Sequence, residues 1–153
     1  PGVAALVVAV WSASGAVGSL FFGFMAERYN IRLVMSVSFL FQASGFALLL
    51  IVNSTFLGLI WGGYQGIVHG GMFTLQLVIF ADYYGRHSLG SIRGAIQPIQ
   101  LGANAMGPLA AALAYDATGS YFSIFAVFVL LSVFSGLCIF LAKPPKYHPL
   151  RSL

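Results

Sequence analysis

The side chains able to do chemistry are few and lie on helical spacing. His69 is the single ionisable group near the middle of any apolar stretch, and an imidazole exchanges a proton near neutral pH. With about 100° between successive residues, Gln65, His69 and Gln76 fall within roughly 40° of arc, beside a stripe of Gly58, Gly62, Gly66 and Gly70. On a later helix Arg93, Gln97, Gln100 and Asn104 share roughly 60° of arc by the same geometry. An earlier one gathers Ser12, Gly15, Ala16, Ser19 and Gly23 on one side, with Trp11 beside them. The glycine stripes suit close helix packing, where small residues let backbones approach; the same stripes would let helices rock. Unpaired amides in hydrocarbon cost several kcal/mol each, so Gln97, Gln100 and Asn104 must face protein or a wet cavity, and both readings stand. His69 likewise reads either as a proton or substrate contact or as a neutral packing residue. No catalytic or metal-binding set emerges: His69, His87 and His148 lie at different depths, and Cys138 is the lone cysteine. No phosphate-cradling G-x-x-x-x-G-K loop is present, so no nucleotide or other cofactor is expected.

The elements that must hold these groups follow from composition. Charged residues make up 7% and hydrophobic ones 59% of 153 residues, against about 25% charged in a soluble domain. Such a chain cannot cover a surface facing water, which excludes a soluble enzyme, a nucleic-acid-binding domain and a disordered segment. A bilayer crossing takes about 20 apolar residues, and the charge-free runs predict five, near 3–26, 33–52, 56–81, 92–115 and 120–142. Asn53, Ser54 and Thr55 supply the turn that divides the long apolar run 33–81. Nothing alternates with the period of a membrane strand. The expected class is an all-α integral membrane protein. Pro98, Pro108 and several glycines are expected to break up the fourth helix, as irregular backbone does beside a cavity.

Orientation follows from the seven basic residues. Arg28, Arg32, Arg86, Arg93, Lys143, Lys146 and Arg151 all fall on one side of this topology, which the positive-inside rule makes cytoplasmic. The intervening loops, 53–55 and 116–119, carry none. A multi-pass protein in the cell or inner membrane is expected, with its C-terminal tail, 143–153, in the cytoplasm. Hydrophobic segments begin at once after Pro1, so the sequence reads as a fragment of something longer.

Two stretches then resemble a known family. Gly23, Glu27, Arg28, Asn30, Ile31 and Arg32 resemble the G-x-x-x-D-R-x-G-R-R/K cytoplasmic loop motif of the major facilitator superfamily, with Glu for Asp, Asn for Gly and Ile for the first basic residue. Asparagine is well tolerated in a left-handed turn, so that exchange is mild, whereas Ile31 weakens any charge lock between loop and helix. Tyr84-Gly85-Arg86, then Gly107-Pro108, then Tyr115-Asp116 and Thr118-Gly119-Ser120-Tyr121 look like loop 10–11, helix 11 and loop 11–12 of monocarboxylate and oxalate/formate type members.

The resemblance implies that the five transmembrane helices are helices 8 to 12, most of one six-helix half of a major facilitator fold, and that the N-terminal half is missing. It further implies secondary active transport of a small solute by alternating access. A small organic acid or monocarboxylate is the expected substrate, with a proton as candidate partner in symport. The substrate-binding or cavity candidates are Trp11, Gln65, His69, Gln76, Gln97, Gln100 and Asn104; Gly23, Glu27, Arg28 and Arg32 form the loop motif. The alternative is a non-transporting scaffold or sensor derived from a transporter. Lipid is an obligate partner, and nucleic acid is not.

Overall fold

A computed structural model describes residues 2–84 and 89–142. The described residues form five helices: α1 (Gly2–Arg28), α2 (Ile31–Leu49), α3 (Thr55–Tyr84), α4 (Leu89–Thr118) and α5 (Phe122–Leu141). No strand occurs among them. The Gly85-Arg86 stretch and the 143–153 tail lie outside the described residues.

By length and composition α1, α2 and α5 are sufficient to cross a membrane. At 30 residues each, α3 and α4 are longer than a hydrocarbon core about 30 Å thick demands, but glutamine, glycine and proline dilute their hydropathy. Large apolar side chains stand exposed along every helix, among them Leu20, Phe41, Phe73, Leu109 and Phe134. That surface suits lipid and would be untenable in water.

The helices do not pack in chain order. The broadest contact joins α1 to α3, and α2 then bridges α3 and α5, while α4 touches its neighbours only lightly. Small residues make the α1–α3 seam. A methyl added at Gly66 would overlap the Trp11 carbonyl, one at Gly70 the Gly15 carbonyl, and one at Gly18 the backbone of Ile67. Ser19 Oγ donates to the Gly70 carbonyl at 3.1 Å across this seam. The glycine stripe of α3 thus serves packing. On α1 the seam centres on buried Gly18 rather than on Ser12 and Ala16, which are exposed. At one end of the seam Phe22, Val34 and Leu75 form the buried core, with Met25, Ala26 and Met35 packed against it.

Polar side chains fasten α2 to its neighbours. Trp61 Nε1–H donates to the Gly45 carbonyl at 2.8 Å, and the Tyr64 hydroxyl to the Phe41 carbonyl at 3.0 Å. Ser36 Oγ donates to the Gly136 carbonyl of α5 at 2.7 Å.

Two local expectations are corrected. α4 runs unbroken through Pro98 and Pro108 and on to Thr118, so the loop expected at 116–119 is mostly helix. Each proline removes one amide donor, a loss that membrane helices tolerate where local adjustment or neighbours satisfy the freed carbonyl. The helix stops at Gly119, whose φ of 68° is a conformation that costs glycine little.

The second correction concerns Asn30. Its φ and ψ are −60° and 117°, extended rather than left-handed, and its side chain accepts the Arg32 amide at 3.0 Å. It caps α2, satisfying a donor the helix leaves open. Asn30→Ala should therefore cost about 1 kcal/mol and Asn30→Gly only a few tenths, measured as unfolding of the intact protein in mixed micelles. A clear stabilisation by glycine would contradict the cap.

Candidate functional site

The polar residues of α3 share one helical arc, yet the structure distributes them among three neighbours. Gln65 is 5% exposed and faces α2, where a methyl on Gly45 would overlap its amide oxygen. That oxygen has no hydrogen-bond partner among the described residues. One turn on, His69 is exposed and lies against Trp11 of α1, ring centroids 5.1 Å apart and planes tilted by 38°. Two turns further, Gln76 turns to α4 and accepts from Gln100 Nε2 at 3.1 Å. Long side chains let one arc of backbone serve three partners, which a wheel of Cα positions does not reveal.

The Gln76–Gln100 pair stands in a cleft between α3 and α4 lined by Phe73, Gln76, Phe80, Arg93, Gln97 and Gln100, with Leu77 and Ile96. Its volume is about 30 Å³, enough for one or two waters. Three amides provide both donors and acceptors, and Arg93 adds a fixed positive charge with up to five donors. The Arg93 guanidinium sits 5.7 Å from the centre of the Phe73 ring, within cation–π reach. None of the eight described lining residues is acidic. The cleft can therefore orient a small polar group and favours an anionic one.

Of the residues singled out in the sequence, the cleft unites Gln76, Gln97 and Gln100. Trp11 and His69 form a second, separate pair, and Gln65 belongs to the α2–α3 seam. Asn104 is exposed, one turn of α4 beyond Gln100, and does not line the cleft. Arg93, Phe73 and Phe80 join the candidates from the structure. Arg93 shares the arc of Gln97 and Gln100 in the sequence, which is the available signal, although its place beside a loop reads equally as topology. No group of three or more His, Cys, Asp or Glu able to hold a metal occurs among the described residues.

The loop between α1 and α2 divides its motif differently. Arg28 lies over Phe24, 4.6 Å from the ring centre, while Glu27 is exposed and Gly23 is half-buried, 3.6 Å from the methyl of Thr74 when a Cβ is added. Arg32 reaches across to the last turn of α5, its Nη2 donating to the Phe140 carbonyl at 2.6 Å. A cation there meets the negative end of α5, so the lock from loop to helix is made to backbone carbonyl rather than carboxylate.

A family model described as Major Facilitator Superfamily matches residues 1–152. The chain belongs to this superfamily. It is similar to the protein called "Uncharacterized MFS-type transporter C18.02" of Schizosaccharomyces pombe, with 27% identity over 144 residues. The match covers 93% of this chain and 32% of that relative, so the chain spans about a third of the relative's length. No solved structure matches. Membership in the major facilitator superfamily and the apolar helices together make this a membrane-embedded protein.

Proposed function

We propose that the intact protein carries a small organic acid, of the monocarboxylate class, across its membrane by alternating access, and that the α3–α4 cleft forms part of the path. The supporting observation is the cleft itself: three amides and a guanidinium converge where no described lining residue is acidic. Membership in a family of transporters favours transport over enzymatic chemistry. The five helices cross the membrane with both the Arg28–Arg32 loop and the C-terminal tail in the cytoplasm, and the remaining helices supply the facing half of the site.

Uptake of radiolabelled short-chain monocarboxylates by proteoliposomes of the intact protein tests this reading. Saturable uptake, competed by other small acids and not by neutral sugars, is expected. Transport of a neutral solute unaffected by acids would sink the substrate assignment, and no transport of any kind would favour a scaffold or sensor.

In this scheme His69, packed against the Trp11 ring, carries the coupled proton. His69→Gln should remove the dependence of uptake on an imposed pH gradient while solute exchange continues. Unchanged pH dependence would leave His69 as a packing partner of Trp11.

A further inference from the structure

A second cavity lies between α2 and α5. It holds about 290 Å³ and is lined by Leu33, Val37 and Leu40 of α2, Leu137 and Phe140 of α5, and the Ser36–Gly136 pair. The Ser36 hydrogen bond to the Gly136 carbonyl draws the helices together there and spends the only hydroxyl among the described lining residues. What remains is an apolar trough. Leu33, Val37, Leu40, Leu137 and Phe140 are all exposed, so its rim opens outward.

One end of the trough is charged. Arg32 precedes Leu33 at the start of α2, and its Nη2 is tied to the carbonyl of Phe140, itself a lining residue. That bond uses one of five guanidinium donors and neutralises none of its charge. Nε is buried with no hydrogen-bond partner among the described residues. An apolar trough with a cation fixed at its mouth matches an amphiphile with an anionic head and a hydrocarbon chain.

We propose that this trough is a binding site for an anionic glycerophospholipid of the leaflet on the Arg28–Arg32 side. One acyl chain lies between α2 and α5, and the phosphate meets the free edge of the Arg32 guanidinium. A second copy of the chain fits less well. A two-fold dimer brings the same patch of both subunits together, and in a membrane that sets Arg32 close to its own counterpart with no described acid in the trough to separate them. The proposal is independent of the transported solute, because the trough and the α3–α4 cleft have no residue in common.

Native mass spectrometry of the intact protein in detergent tests it, with dioleoyl phosphatidylglycerol and dioleoyl phosphatidylcholine titrated separately. The first phosphatidylglycerol should bind about fivefold more tightly, the discrimination that one basic residue supplies near an anionic lipid surface. Arg32→Gln should abolish that preference while leaving phosphatidylcholine binding unchanged. Leu137→Trp, which fills the trough away from the charge, should weaken the first adduct of both lipids and serves if Arg32→Gln fails to fold. Equal affinity of the wild type for the two lipids overturns the proposal. So does a preference that survives both substitutions, or a dimer that Leu137→Trp dissolves.

Discussion

Gly70→Ala should destabilise the helix bundle by about 2 to 3 kcal/mol, the upper part of the range for forcing a methyl into a packed site. The added carbon would fall on the carbonyl of Gly15, which is backbone within a helix and cannot swing aside. Moving α1 away would break the Ser19 hydrogen bond to the Gly70 carbonyl. It would also part Gly66 from Trp11 and Gly18 from Ile67, where close approach is equally tight. Gly23→Ala is the matched control on the same seam. Its methyl would meet only the Thr74 side chain, at the ordinary distance of 3.6 Å, and alanine gains about 1 kcal/mol over glycine in a helix interior. The control should be neutral or slightly stabilising. Unfolding of the intact protein in mixed micelles measures both, and equal effects at the two positions would refute the seam as drawn.

Gln100→Leu should lower the rate of solute uptake about tenfold, a loss equivalent to about 1.4 kcal/mol, and Gln76→Leu should match it. Each removes one side of a 3.1 Å hydrogen bond and strands the other amide beside Phe73, Leu77 and Phe80. A stranded polar group costs about 1 to 3 kcal/mol, whereas removing both partners can be nearly neutral for stability. The double variant should therefore be no less stable than either single one, and its uptake should remain low, because two of the three amides that orient the solute are gone. This split between stability and uptake separates a working cleft from mere fastening of α4. Full uptake in the double variant would reduce the amides to interhelical glue and favour the scaffold reading.

The five helices were legible because long apolar runs and a few turn residues suffice to delimit them. Ser54, for instance, ends the 50–54 turn and accepts the Leu57 amide at 3.3 Å at the start of α3. The glycine face of α3 was legible for a similar reason, since small residues at helical spacing have few other uses in lipid; on α1 the arc of Ser12, Gly15, Ala16, Ser19 and Gly23 holds part of the seam but not buried Gly18. What escaped was tertiary. The burial of Gln65 depends on Gly45, whose missing side chain makes room for it on another helix. Asn30 looked like a glycine substitute in a motif, but the start of α2 at Ile31 made its side chain more useful as a cap. Pro98 and Pro108 looked like helix breaks, yet α4 is nearly free of neighbours and has room to absorb them. Arg93 was visible as a charge near a loop; only the facing residues Phe73 and Gln76 turn it into part of a cleft.

The order in which the helices pack bears on how the protein is made. α1 finds its main partner in α3 and α2 finds one of its own in α5, so during synthesis each must wait in the bilayer while later segments emerge. Waiting would be costly for a helix with open polar groups. Ser19 bonds the Gly15 carbonyl, Ser38 that of Met35, Ser44 that of Phe41, and Thr74 that of Gly70. Thr118 and Ser132 do the same with Ala114 and Phe128. These hydroxyls are satisfied within their own helices, and the glycine faces expose backbone already engaged along the helix. These hydroxyls do not have to wait, whereas Ser36 of α2 gains its partner only when α5 arrives and Gln76 of α3 only when α4 does. The partnerships between distant segments then form by lateral diffusion of inserted helices.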